Sequence, residues 1–278
     1  MMKKQQKIFT DLIDEALSAE KDLCFGVKTK TGKFGLEKFE FNVDSDEMAK
    51  KLQKAKGHYT TINCSKLYAH SNKISLYVKS ELEKSLKKFF RLATTKSKPV
   101  VMVVGLGNRG IVADSLGAKV TEKLFATMCL SKILNRDYGK LCFVNAGVGG
   151  VTGILSFDVV SSLCNTIKPD IVIIVDALVA SNINRLGCSF QVSNSGISPG
   201  AGANNAQKVL DKTSLKCEII VVGVPMLISG ESLCQNISKQ YSKMIFAPKE
   251  VDVYIDKCSK IIAAAINKVV HKKDINPF

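Results

Sequence analysis

The sequence predicts an α/β protein, with a mostly parallel sheet covered by helices on both faces and a small, partly antiparallel sheet at the N-terminus. Two observations carry the parallel part. The apolar run Val100 to Val104 breaks into the glycines of G-L-G-N-R-G and then turns helical, and from Pro99 onward such runs alternate with helical patterns. A third carries the N-terminal part: before residue 70, β-prone runs follow one another with only short polar connections.

Taken in order, the chain opens with a basic, polar segment without a core face, read as a loose arm, and Lys7 to Ala19 ends in a short amphipathic helix. Cys24 to Thr29 and Phe34 to Val43 read as a hairpin across Lys30 to Lys33, and Asp44 or Ser45 caps a helix to Lys54. His58 to Asn63 is a further strand. Lys73 to Leu92 carries a helical stripe at 74, 78, 82, 86, 89 and 90. Then come strand 100–104, helix 115–134 with Asp114 at its N-cap, strand 140–145, a helix from about 153 to 167 and strand 170–175. A glycine-rich loop to about 205, strand 217–223 and a last helix with Pro248 in its first turn complete the reading. The organisation expected is residues 1–11 as an arm and 12–278 as a single α/β domain, divided into an N-terminal sheet with helices at 12–98 and a doubly wound core at 99–278.

Composition narrows the function. No run approaches 18 uncharged apolar residues and the first residues lack the apolar core of a secretion signal, so a soluble intracellular protein with no membrane partner is expected. Nine Cys stand singly, with no C-x-x-C pair, and there are three His, which argues against a disulfide framework and a zinc site. The net charge of +15 comes almost wholly from Lys, with Arg only at 91, 109, 136 and 185, and there is no Trp. Without guanidinium clusters or aromatic and basic interleaving, direct nucleic-acid binding is not expected.

Ligand sites of open parallel sheets lie beyond the carboxyl ends of the strands. Three ends stand out: Gly105 to Asp114, Asn145 to Gly153, and the strand that runs into Asp176. Asp114 near a helix start would be held ionised, whereas Asp176 at the mouth of an apolar strand would be desolvated and protonated. One ionised and one protonated carboxyl is the pair that activates water and protonates a leaving amine. Singly, each acid is read equally well as a cap or a structural strand-end acid. G-L-G-N-R-G also matches the dinucleotide fingerprint, but strand 140–145 ends in N-A-G-V-G-G without the acid that grips a ribose. Ser115 and Ser195 lie in no G-x-S-x-G elbow, and neither they nor the Cys have a His partner nearby.

With these residues in view, the chain resembles the germination proteases, endopeptidases of spore-forming bacteria that degrade small acid-soluble spore proteins. The resemblance runs through V-V-G-L-G-N-R and D-S-L-G-A-K (Val103 to Lys119), G-V-G-G-V-T-G (Gly147 to Gly153), and K-P-D-I-V-I-I-V-D-A-L-V-A (Lys168 to Ala180). It continues in S-N-S-G-I-S-P-G-A-G (Ser193 to Gly202), V-G-V-P (Val222 to Pro225) and P-K-E-V-D (Pro248 to Asp252). It implies Asp114 and Asp176 as catalytic acids, no cofactor, and a fold similar to that of hydrogenase-maturation proteases, whose corresponding acids bind metal. The crevice is expected to be lined by Gly105, Gly107, Asn108, Gly150, Thr152, Gly153, Ser195 and Gly196. The resemblance also implies a zymogen that cuts its own arm in F-T-D-L-I-D-E, between Asp11 and Leu12, a homotetramer, and residence in the cytoplasm of the forespore and spore core. Ser198 stands where many members have His, and the connection Gly230 to Ala247 is much shorter than theirs.

Three other functions remain open on the residues alone. Glycine loops with free N–H groups suit a phosphate or nucleotide ligand held without protease activity. A metal-dependent protease of the maturation type is a second, although the lack of nearby His argues that a chelator would leave activity unchanged. A third is a peptidyl-tRNA hydrolase, similar only over G-L-G-N and dependent on a His that this corner lacks.

Overall fold

A computed structural model describes residues 10–20, 23, 27–69, 71–130, 138–199, 208–233 and 244–275. The elements in chain order are α1 (Ile13–Ala19), β1 (Lys28–Thr31), β2 (Glu37–Val43), α2 (Asp46–Leu52), β3 (Gly57–Asn63), α3 (Asn72–Ala93), β4 (Val100–Leu106) and α4 (Leu116–Thr121). There follow β5 (Lys140–Gly147), α5 (Gly149–Thr152), α6 (Ser156–Ile167), β6 (Ile171–Ala180), β7 (Ser189–Ser193) and α7 (Lys212–Leu215). The chain closes with β8 (Glu218–Ser229), α8 (Gly230–Leu233), β9 (Ile245–Phe246) and α9 (Val251–His271).

All described strands join one sheet in the order β1-β2-β3-β7-β8-β6-β4-β5, with β9 added to β8. The runs rich in Val and Ile make its centre: β4 pairs in parallel with β5 and β6, and β6 with β8. Strand β7 runs antiparallel to both β8 and β3, and β2 and β1 continue antiparallel beyond β3. Six of the eight strands on this path therefore point the same way, with β2 and β7 reversed. The antiparallel N-terminal strands are thus a continuation of the main sheet, joined to it through β7.

Alternation along each strand sorts the core into two faces. Val101, Val103, Ile173, Val175, Val222 and Phe190 pack against α3, α4 and α9, where Val78, Leu82, Leu86, Leu116, Ile262 and Ile266 are buried. Met102, Val104, Val172, Ile174, Ile219 and Val221 face the other way, onto Val160 and Cys164 of α6 and Leu215 of α7. At the antiparallel end of that second face, Ile13, Ala16 and Leu17 of α1 pack on Phe41, Val43, Leu52 and Tyr59.

Several boundaries differ from the sequence reading. The helix predicted to run from Ser115 to Leu134 ends at Thr121 in α4, and the chain beyond it continues in turns. Strand β7 forms inside the predicted glycine-rich loop. Pro248 precedes α9 instead of starting it, its carbonyl accepting from Val251 N at 3.2 Å. Of the two proposed caps on α2, Ser45 serves, its hydroxyl accepting from Met48 N at 3.2 Å. The arm before Thr10, the strand start at Cys24, His70, residues 131–134, the loop from 200 to 205 and residues 234–243 of the short connection lie outside the described residues. The seven described Cys are free thiols, and no described helix is long and apolar enough to cross a membrane.

Candidate active site

At the end of β4 the chain must turn back on itself within a few residues. Gly107 allows this: its φ is +95°, and a Cβ there would lie 2.0 Å from the Asp114 carbonyl oxygen. The fold-back lets the Asn108 N–H donate to Asp114 Oδ2 at 2.6 Å, while Asn108 Oδ1 accepts from Gly110 N at 2.9 Å. Asp114 therefore grips its own turn and does not cap α4, whose N-cap Ser115 makes no side-chain cap bond. Burial raises the Asp114 carboxyl above the usual carboxylate range and the Asn108 N–H pulls it back. The carboxyl expected to be held ionised by a helix start is thus raised by burial instead.

Asp176 stands on the face of β6 opposite Ile173 and Val175, in line with Val172 and Ile174. Burial pushes its carboxyl well above the usual range, the nearby charges of Asp114 and Asp11 push it further, and the Ala177 N–H, 2.9 Å from Oδ1, opposes them. Of the two acids it is the one raised more strongly, as the sequence reading expected of a desolvated strand-end carboxyl. Register extends the row: Asp176 lies opposite Gly223 on β8, and Gly223 opposite Gln191 on β7. Gly223 has no side chain to fill the row's centre, and a Cβ there would meet Leu178 Cδ1 at 2.5 Å.

Over this row lies the end of the arm. Asp11 N donates to the Val179 carbonyl at 2.8 Å, and Asp11 Oδ2 accepts from Val179 N at 2.8 Å. On the other side the Asp11 carbonyl accepts from Gln191 Nε2 at 3.0 Å, and Gln191 Oε1 accepts from Ile13 N at 2.8 Å. Asp11 thus bridges β6 and β7 across the width of β8. Lys54 Nζ donates to the Thr10 carbonyl at 2.6 Å and its charge lowers the Asp11 pKa, which burial nonetheless raises. Leu12, fully buried, packs with Leu178, Ala180, Leu186 and Ile228. The arm is fixed from Thr10 onward, where the sequence reading had it loose as far as Asp11.

The remaining predicted lining residues divide. Gly105 is packed inside β4, where a Cβ would sit 2.6 Å from the Gly117 carbonyl oxygen. Gly150, Thr152 and Gly153 form the exposed turn after β5, with Thr152 Oγ1 donating to the Ile154 carbonyl at 3.0 Å. Ser195 and Gly196 do not belong at the strand ends: β7 is reversed, so Ser193 already lies opposite Val221 and the residues after it lead toward the other end of the sheet. Sequence reasoning missed Gln191 for the same reason. The signal was there in S-F-Q-V-S, where Phe190 and Val192 alternate with polar residues in strand fashion. Among the described residues no three His, Cys, Asp or Glu side chains are grouped to hold a metal ion.

Two acids of raised pKa, with Asp114 and Asp11 both close enough to raise Asp176, and an Asp11 carbonyl held by an amide donor supply the parts that addition of water to a peptide requires. Comparison with known proteins agrees with a peptidase. A family profile described as germination protease matches residues 14–241. The germination protease of Clostridium tetani is 27% identical over 300 residues, covering 91% of this chain and 92% of that one. Those of Clostridium acetobutylicum and Clostridium perfringens strain 13 are each 30% identical over 285 residues, covering 87% and 85% of this chain respectively and 87% of each relative. Among solved structures, a [NiFe] hydrogenase maturation protease from Thermococcus kodakarensis aligns with a TM-score of 0.39 and 17% identity, covering 66% of this chain and 98% of that one.

Proposed function

Because the chain belongs to the germination protease family, and is therefore a hydrolase of peptide bonds, we propose that it is an endopeptidase that uses Asp114 and Asp176 to begin the degradation of small acid-soluble spore proteins. The observation that carries this reading is the bridging of Asp11 across the row that contains Asp176, with the Asp114 and Asp11 carboxyls close enough to raise the pKa of Asp176. The arm is then an internal substrate, and the chain a zymogen that acts on the Asp11–Leu12 bond. Homotetrameric assembly and action in the forespore and spore core complete the proposal.

The chemistry follows from the two acids. Asp114, as carboxylate, takes a proton from water, and the hydroxyl oxygen adds to the Asp11 carbonyl carbon as the π electrons move onto oxygen. When the tetrahedral species collapses, the C–N bond breaks and the Leu12 nitrogen takes the proton held by Asp176. The products are a peptide ending in a carboxyl group at Asp11 and a chain beginning with an amine at Leu12. Solvent returns the surplus proton from Asp114 to Asp176. The roles are assigned by the larger upward shift at Asp176, which keeps that carboxyl protonated to higher pH.

Incubation of the purified chain with a small acid-soluble spore protein tests the reading, with mass spectrometry of both partners. Internal cleavage of the spore protein, together with a product of this chain that begins at Leu12 at mildly acidic pH, is expected. An intact spore protein and an intact chain at every pH would refute it.

A further inference from the structure

The geometry points to Gln191 as a further catalytic residue, the hydrogen-bond donor that stabilises the oxyanion formed from the carbonyl under attack. The inference rests on the peptidase reading above and deepens it. Gln191 touches the Asp11–Leu12–Ile13 segment twice, donating from Nε2 to the Asp11 carbonyl oxygen at 3.0 Å and accepting at Oε1 from Ile13 N at 2.8 Å. The two bonds fix the amide's orientation, because only its nitrogen can donate and only its oxygen can accept. The carbonyl that accepts from Nε2 belongs to the peptide bond assigned above to cleavage.

Position on the sheet supports the same role. Gln191 and Asp176 share one row on one face, separated by Gly223, so they stand roughly 10 Å apart at about 4.8 Å per strand step. A neutral donor on β7 holds the carbonyl, and the raised carboxyl stands at the β6 end of the same row. Gln191 is only 8% exposed, so its donor works in a site largely closed to water, where a hydrogen bond to a developing charge is strongest. Neutrality also matters, because a cation there would pair with Asp11 or Asp176 and lower the pKa on which proton donation depends. Val179 N–H binds the Asp11 side chain, so the carbonyl oxygen is left to Gln191.

In the reaction the π electrons of the Asp11 carbonyl move to oxygen as the hydroxyl adds, and Nε2–H faces the new negative charge. No proton leaves Gln191. When the tetrahedral species collapses the electrons return and the bond to Leu12 nitrogen breaks. The same contacts are available to a substrate in trans that presents an acidic residue before the cut and a large aliphatic residue after it, because the Asp11 and Leu12 positions offer Val179 N–H with Lys54 and the pocket of Leu178, Ala180, Leu186 and Ile228.

The test follows formation of the Leu12 product by the full chain, with hydrogen exchange of segment 10–17 as a separate measure of whether the arm is docked. Gln191→Leu, with the arm still docked, is expected to slow the product roughly 10²- to 10³-fold. Gln191→Glu keeps the size and the acceptor for Ile13 N but offers a donor only when the introduced carboxyl is protonated. Its rate relative to wild type should therefore climb as pH falls. Asp11, Asp114, Asp176, Glu15 and Lys54 titrate in every variant, so the uncharged Gln191→Leu is the reference, and its ratio to wild type should stay flat with pH. A residue that only pinned the arm would lower the rate in step with docking and show no such climb. The inference is overturned if the Leu variant cleaves within about threefold of wild type, or if the Glu variant keeps a constant ratio across pH. Wild-type protein that cleaves neither itself nor a spore protein would overturn the peptidase reading, and this inference with it.

Discussion

Asp14 and Glu15 on α1 are buried acids, as Asp114 and Asp176 partly are, yet Glu15 accepts from four donors and Asp14 has a cation, whereas each acid of the second pair accepts from one N–H. Glu15 accepts from Ser181 N at 2.7 Å, Ser181 Oγ at 2.9 Å, Asn182 N at 3.1 Å and the Thr10 hydroxyl. Asp14 is paired with Arg185, which works against the rise that burial imposes. Asp176 has the N–H of its own neighbour, and Asp114 one N–H six residues away. Arg185 at Asp14 and the Ser181 and Asn182 donors at Glu15 hold α1 on the loop after β6, although Asp14 Oδ1 is buried without a hydrogen-bond partner. At the strand ends the same residue type is desolvated with few donors, which costs stability and makes a proton transferable.

The strongest way to break this comparison is to remove the proton chemistry alone. Asp176→Asn and Asp114→Asn should each reduce formation of the Leu12 product by several orders of magnitude, read by mass spectrometry. Both should fold, and Asp176→Asn should match or exceed the wild-type melting temperature at neutral pH, because an amide removes a poorly compensated buried carboxyl. Either variant cleaving within about tenfold of wild type would place its acid with the structural group.

Next in size is the opposite manipulation. Arg185→Ala leaves Asp14, 6% exposed, without its cation, and should cost about 3–5 kcal/mol in denaturant unfolding. A loss under about 1 kcal/mol, the range of exposed pairs, would show that the pair does not anchor α1.

The smallest effect is a slope with pH. Asp11, Asp14, Asp114 and Asp176 all bind a proton more tightly folded than unfolded. Their contribution to stability is therefore full below the unfolded value of 3.8 and is lost as pH rises through the folded values. Asp170 and Glu40 are shifted the other way, so their contribution is complete above 3.8 and 4.5 and adds no slope there. His271 and Lys54, both lowered by burial, act with the opposite sign below 6.5 and 10.5. In an Asp114→Asn background, where cleavage is silenced, adding Asp176→Asn should make the change in melting temperature from pH 5 to 7 less negative. Equal slopes would show that Asp176 titrates as an ordinary acid.

Much of this was legible in the residues. The runs Val100 to Val104 and Ile171 to Val175, the stripe of α3 and the position of Asp176 follow from periodicity, which reports burial directly. What escaped depends on pairing between distant segments. The reversed direction of β7 cannot be read from S-F-Q-V-S, although its strand character can. Ser195 and Gly196 were therefore assigned to the wrong end of the sheet, and Gln191 was passed over. Asp114 looked like a helix cap because the residues after it are good helix formers, whereas the turn at Gly107 brings the Asn108 N–H to it first.

The strand order has a consequence for how the protein comes to be. Asp11 and Gln191 meet in space but are 180 residues apart in the chain. At about 5–20 residues per second on the ribosome, the first is made roughly 9–36 s before the second. Strand β3 likewise waits for β7 before it has a partner on that side. A nascent chain therefore carries its own N-terminal peptide through most of synthesis without a completed row of residues to receive it, and the amide and acids that would act on that peptide close around it only when the molecule is nearly whole.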